Sequence, residues 1–254
     1  MPAIQFSREY LCEPIHDVAS MFPMDILEAA RDPELRLLER AEYEYDEEGE
    51  RAGVFGQHFI GWDPAIASDK NADYTAMVIM RTTEAGVKQV IHSVHEKGLN
   101  SEAQKRHIIL LNSRFQPDLI ELEGNNFQRM FETELRDMDI PVRTFMTTRA
   151  RKESLFMSLL LAFEQGHIRT PYGDEKSKEF THKLETELNR FGMTKQGRLE
   201  SVGVHDDLAM GLALANWGTK EFKGSVVLLD DFLPGFGDWV QGELTGNKSD
   251  WFVM

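Results

Sequence analysis

The sequence has almost no cysteine. Cys12 is the single one in 254 residues, which excludes an internal disulfide and any cysteine-based zinc site and points to synthesis in a reducing cytoplasm. No apolar run is long enough to span a membrane, and the opening MPAIQFSREYLCEPI lacks the basic region and apolar core of a secretory leader. There is no G-x-x-x-x-G-K-[ST] loop to cradle nucleotide phosphates, so ATP hydrolysis is not expected of this chain. Positive charge is also scarce, with 28 Lys and Arg against 43 Asp and Glu and a net charge of −15. Taken alone, that counts against a nucleic-acid partner, because phosphate contacts need Lys and Arg. The deficit is uneven, however. Residues 1–56 hold 5 basic and 14 acidic side chains, a net of −9, which leaves −6 for the other 198 residues. A site that gathers carboxylates around cations also adds negative charge without fixing the sign of the groove beside it.

What is present reads as one sizeable α/β domain with appended segments. Residues 1–56 are expected to be an N-terminal extension. Within it, MDILEAARDPELRLLERAE has helical spacing broken at Pro33, and Glu42 to Glu50 is an acidic, solvated run. From residue 57 strand and helix patterns alternate. GQHFIGWDPA is a buried strand stopping at Asp63 before Pro64. DYTAMVIMRTT and VKQVIHSVHEK are strands joined through Glu84-Ala85-Gly86, a hairpin signal. SEAQKRHIILLNSRF is a helix with Ser101 as a possible cap. The strand PDLIELE, the helix NFQRMFETELRDM and the strand IPVRTFMT come next. RKESLFMSLLLAFEQG is an amphipathic helix closed by Gly166, SKEFTHKLETELNRFG a helix ending at Gly192, and HDDLAMGLALANW a third. The order implies a mixed sheet of five or more strands with helices on both faces, spanning residues 57–217. Residues 218–254 form a C-terminal extension whose structure the pattern does not assign.

Acids fall where such a fold could use them. Asp63 ends the first strand, Glu123 ends the fourth, and Asp206-Asp207 opens the last helix. Sites in open α/β sheets gather beyond strand ends. Carboxylates that close cannot all ionise unless a cation lies between them, and an all-oxygen set favours Mg²⁺ or Mn²⁺. Two such ions roughly 3.5–4 Å apart make a phosphodiester-cleaving centre, one activating water and the other stabilising the departing oxygen. Asp63 is the natural bridging ligand. Alternation puts Gly61 on its face, leaving room beside the carboxylate, and puts Glu121 on the face of Glu123 as a second choice. The bland alternatives are a turn residue at Asp63, an exposed strand end at Glu123 and a helix cap at Asp206-Asp207.

The motifs together resemble the nuclease domain of the large terminase subunit of tailed bacteriophages, which has an RNase H-like, resolvase-type fold. FIGWDPAIASDKNADYTA resembles its first acidic motif, IELEGNNFQRMF its Glu-x-Asn-x-Phe-Gln motif, and HDDLAMGLALA its His-Asp-Asp helix start. TTRARKESLFMSLLLAFEQGHIRTPYG and LETELNRF are similar to the linking helices, and FSREYLCEPI to the stretch that joins the packaging ATPase to the nuclease. The resemblance implies a metal-dependent endonuclease of low sequence specificity that cuts concatemeric viral DNA during genome packaging. Asp63, Glu123, Asp206 and Asp207 would bind Mg²⁺ or Mn²⁺. It also implies double-stranded DNA, an ATPase domain, a small terminase subunit and a portal as partners, at a procapsid in the host cytoplasm. Many relatives carry an Asp-Ala pair one turn into the last helix; here Met210 and Gly211 stand there, so the third acid falls to Asp206 or Asp207.

Other residues are weaker candidates. Arg143, Arg149, Arg151 and Lys152 form the densest basic stretch and are expected to contact DNA phosphates. His205 and Asp73 are auxiliary candidates beside the acids, and Asp69 lies in the same loop as Asp73. His92 and His95, three apart in a strand, should face opposite sides and share no metal; Trp62 should be core. Competing readings are a junction resolvase or transposase-like enzyme of the same fold, a non-catalytic packaging module, and a regulatory domain acting through its acidic N-terminal surface. The nuclease reading expects activity to survive removal of residues 1–56.

Overall fold

The computed structural model describes residues 20–65, 74–124, 129–193, 199–201 and 206–221. After a short helix α1 (Met24–Ala29) come strand β1 (Arg31–Asp32) and the hairpin β2 (Tyr43–Tyr45) and β3 (Arg51–Val54). Next are β4 (Gln57–Asp63), β5 (Tyr74–Thr82), β6 (Lys88–Lys97), α2 (Ser101–Phe115), β7 (Leu119–Gly124), α3 (Arg129–Arg136) and β8 (Val142–Met146). The rest comprises α4 (Arg149–Glu164), β9 (Ile168–Pro171), α5 (Glu175–Asn189), β10 (Phe191–Met193), β11 (Leu199–Ser201) and α6 (Asp207–Gly218). Seven strands form one mixed sheet in the order β1-β9-β6-β5-β4-β7-β8. The β4-β5-β6 meander is antiparallel, while β7 and β8 continue parallel to β4. Each parallel step carries a helical crossover, α2 before β7 and α3 before β8.

Period-two alternation divides the sheet's side chains between two cores. Ile60, Trp62, Met77, Ile79, Ile120 and Leu122 pack with α2 and α3 on one face. Ala76, Val78 and Met80 meet α4, α5 and α6 on the other. Trp62 is fully buried, its ring 5.2 Å from that of Phe131, so it is core as expected. Gly61 and Asp63 belong by alternation to the second face, under α6. The room left by Gly61 is not beside the carboxylate, as the sequence suggests, but beneath this helix. A Cβ there would sit 1.8 Å from the Gly211 carbonyl oxygen and 2.5 Å from the Ala215 nitrogen. Helix and strand backbones cross in contact, which fixes the height of α6 over β4.

Residues 20–56 do not stand apart from this domain. Met21, Phe22, Leu27 and Ala30 are buried in the core beneath α4 and α5. Strand β1 extends the sheet parallel to β9, with Arg31 opposite Thr170 and Asp32 opposite Pro171. Arg31 also donates to both oxygens of the buried Glu185, at 2.7 and 2.9 Å. Two helix boundaries also differ from expectation. The cap of α2 is Asn100, whose side chain accepts from the Ala103 amide at 2.9 Å, not Ser101. Gly192 lies within β10, since α5 stops at Asn189. Of the C-terminal extension, only residues up to 221 are described, as the end of α6 and one 3₁₀ turn.

Candidate metal centre

Three chain ends converge on one pole of the sheet. Asp63 is the last residue of β4. Trp62 is in register with Leu122 of the parallel neighbour β7, so the next residues, Asp63 and Glu123, emerge side by side. The third element is the start of α6, where Asp206 takes the N-cap position and Asp207 the first helical one. The backbone just after Asp63 is pinned as well. The Ala65 amide donates to Thr75 Oγ1 at 3.2 Å, and Gln104 Nε2 donates to the Ala65 carbonyl at 2.8 Å. Both anchoring side chains are buried.

Electrostatics tie the four acids together. The Asp63 carboxyl is held well above the ordinary carboxylate range. Burial is the largest cause, with the charge of Glu123 and a hydrogen bond shared with it next, then the charges of Asp207 and Asp206. Burial and the charges of acids from two other stretches of sequence thus disfavour the ionised Asp63 carboxyl, the condition a divalent cation relieves. Among the described residues, no three His, Cys, Asp or Glu side chains already surround one point as a bound ion would hold them. Like charges do not close up without a cation, and Asp206 is drawn instead to Lys152, whose Nζ lies 3.0 Å from Oδ2. The donor set fits a hard divalent ion because it consists of carboxylate oxygens. The bland reading of the acidic pair fails at Asp206, whose side chain makes no cap hydrogen bond to the helix.

Other candidates separate clearly. Glu121 is excluded as a ligand: it is 1 % exposed and ion-paired with Arg143, its cross-strand neighbour on β8. Arg143, expected at the DNA, is thus the counter-charge of a buried acid. Arg149 pairs with Glu153 at 3.3 Å on the surface of α4. The Arg151 guanidinium lies 4.4 Å from the centre of the Phe145 ring, and Lys152 belongs to Asp206. His205, Asp73 and Asp69 lie outside the described residues.

Two residues not assigned to the site from the sequence reach this pole. His95 faces away from His92, as expected: the His92 Nδ1 lies 2.7 Å from the Leu38 carbonyl, whereas the His95 Nε2 lies 4.0 Å from Asp207 Oδ2. The row Asp63–Ala76–His95 runs straight across β4, β5 and β6, and the Tyr74 ring flanks His95 at 4.4 Å. The second is Glu187 on α5, which is buried and contacts the first turn of α6. Burial pushes its carboxyl up to about 7. Alternation could have put His95 on the face of Asp63 once the register was known. Nothing in the sequence pairs Glu187 with α6.

An antiparallel meander continued by two parallel strands, with acids at two strand ends and a helix start, defines the RNase H-like class. Residues 60–216 match the family model described as the terminase RNaseH-like domain, and the chain belongs to that family. Among solved structures, the large terminase nuclease of thermophilic phage G20c with bound magnesium matches at a TM-score of 0.55 and 19% identity, over 78% of this chain and 97% of that one. The nuclease domain of the large terminase subunit gp2 of bacterial virus Sf6 matches at 0.55 and 12% identity, over 78% and 98%. The HK97 bacteriophage large terminase matches at 0.55 and 11% identity, over 84% of this chain and 46% of that one. No curated protein sequence matches.

Proposed function

We propose that this domain is a metal-dependent endodeoxyribonuclease that cuts concatemeric viral DNA during packaging, through Mg²⁺ or Mn²⁺ held by Asp63, Glu123, Asp207 and Asp206. The observation that carries this reading is the placement of Asp63 and Glu123 side by side at the ends of adjacent parallel strands, with the Asp206-Asp207 start of α6 near enough to raise the Asp63 carboxyl. Family membership supports it, as do the magnesium complex of the G20c nuclease and the manganese complex of the Sf6 nuclease. Bound divalent ions, two in this reading, supply the positive charge that polarises the phosphodiester and lowers the pKa of an attacking water.

The protein's own residues set the geometry. Asp63 lies at the end of a central strand beside Glu123, so it would be the ligand most central to the bound metal. Of the two helix-start acids, Asp207 lies 4.0 Å from His95 and Asp206 is paired with Lys152, and either would complete the ligand set. Asp206 joins when Lys152 lets go, and the freed Lys152 then faces a DNA phosphate together with Arg149 and Arg151. Phosphate contacts of this kind position DNA without reading its sequence. The packaging ATPase, small subunit and portal are the proposed partners, and the procapsid in the host cytoplasm the proposed setting.

The test is plasmid cleavage with Mg²⁺ or Mn²⁺ by the wild type and by Asp63→Ala. The variant should keep its circular dichroism spectrum and lose nicking and linearisation. Full cleavage by a folded Asp63→Ala protein would sink the reading. Preference for a four-way junction over linear duplex would favour the resolvase alternative instead.

A further inference from the structure

The two aspartates at the start of α6 are placed as ligands, yet a helix start needs acceptors for its own first amides. The amides at the second and third helical positions usually take the N-cap side chain as their partner. Here those positions are Leu208 and Ala209, and the N-cap Asp206 does not serve them. The acceptor comes from another helix. Glu187, near the end of α5 and 7 % exposed, accepts from the Ala209 amide at 3.0 Å through Oε2, and the Leu208 amide also acts on this carboxyl. It therefore serves the amide of the third helical position, one that an N-cap side chain normally serves. Asp206 is left to turn outward to Lys152, and Asp207 stays on the face toward Asp63 and His95.

We infer that Glu187 is a positioning residue for the metal centre, a cap supplied in trans that takes the place of Asp206 at the start of α6 and sets the height of Asp206 and Asp207 above Asp63. This rests on the proposed reading of the acids as ligands. Glu187 does not itself touch the metal or DNA. Without it, the nearest cap acceptor for the Ala209 amide is Asp206, whose side chain would swing from the site to the helix end. Helix α6 is anchored elsewhere by its glycine crossing of β4, so the loss should fall on ligand placement more than on the fold.

The experiment compares wild type with Glu187→Ala, Glu187→Gln and Glu187→Asp, by Mn²⁺ titration calorimetry, thermal unfolding without metal and steady-state plasmid cleavage. Glu187→Ala should weaken Mn²⁺ binding at least tenfold and lower kcat, with KM for DNA unchanged. Glu187→Gln, which keeps one acceptor oxygen, should recover Mn²⁺ affinity to within about threefold of wild type. Glu187→Asp, one methylene too short to hold the Ala209 amide at the same distance, should fall between them. If Glu187→Ala does not fold, Glu187→Asp decides: its Mn²⁺ affinity must fall while the Gln variant's does not. A wild type that binds Mn²⁺ and cuts DNA, beside folded Ala and Asp variants of unchanged affinity, overturns the positioning role and leaves the site intact. A wild type that neither binds Mn²⁺ nor cuts DNA overturns the reading of the site, and this role with it.

Discussion

Asp63 and Lys88 are both ionisable groups held where charge is costly, at opposite ends of the sheet and about 20 Å apart by strand rise. Asp63 has three acids beside it, and so a use for a cation. Lys88, at the start of β6, donates to Asn216 Oδ1 at 2.8 Å, and burial pushes its ammonium down to about 8. Linkage gives the sign of the consequence. Between pH 8 and the unfolded value of 10.5 the unfolded chain binds a proton that the folded chain does not, so stability rises with pH across that window. Below pH 8 the whole cost of burying the charge is present. Lys220, lowered to about 7 by burial and by the charge of Lys88, adds a rise of the same sign up to 10.5, which wild type and Lys88→Met share. Melting temperatures of wild type and Lys88→Met, measured from pH 8 to 10.5, should therefore converge or cross as wild type gains. Parallel curves would show that Lys88 is solvated. Neither Lys88 nor Glu187 stood out in the sequence, because each is defined by what packs over it. Asp63 and Glu123 were legible because an acid ending an apolar run is visible without any tertiary contact.

Among the elements, the long helices and the meander could be read from periodicity, and α2 runs over the segment expected, Ser101 to Phe115. The strands β1 to β3 and β9 to β11 were missed because two to four residues carry no period to detect. Helix α6 is different again. Every residue from Asp207 to Asn216 is buried, so it is a central rod and not an amphipathic surface helix. Its apolar composition was legible, but its contact with β4 was not, since that depends on two glycines 150 residues apart, Gly61 and Gly211. They should respond very differently to alanine. At Gly61 the added Cβ meets backbone at 1.8 and 2.5 Å. Neither atom can yield without lifting α6, so Gly61→Ala should cost about 3 kcal/mol or more and displace Asp207 from Asp63. At Gly211 the nearest atom is a Val78 methyl at 3.1 Å. Crowding there opposes a helix-propensity gain of about 1 kcal/mol, so Gly211→Ala should change stability by less than about 1 kcal/mol. Urea unfolding of both variants checks the contrast. Equal losses would show that the crossing is not set by these two backbones.

At the scale of the molecule, the boundary expected at residue 56 does not separate two bodies. Composition set it there, because residues 1–56 carry most of the excess negative charge. Charge, however, reports the solvent side of a segment and not what its apolar residues cover. Phe22 is fully buried against the rings of Phe156 and Phe163, at 6.4 and 6.0 Å, and burying such a side chain contributes about 3 kcal/mol. Arg31 neutralises Glu185, whose side chain is 4 % exposed. Stranding a buried charge by removing its partner costs about 3–5 kcal/mol. These two losses alone are comparable with the whole stability of an ordinary domain, about 5–15 kcal/mol. β1 also covers the outer edge of β9, which would otherwise be bare. The expectation that activity survives removal of residues 1–56 therefore gives way to a different one. A chain beginning at Glu42 should aggregate or show no cooperative melt. Arg31→Met in the full chain should lower the melting temperature by several degrees, and the double variant Arg31→Met with Glu185→Leu should recover much of the loss, because no buried charge is then left unpaired. A Glu42-start protein that melts cooperatively within a few degrees of the parent would restore the extension to the status of a tether, and the failure of the double variant to recover would mean that Arg31 acts through its 4.9 Å contact with the Tyr172 ring and not through charge.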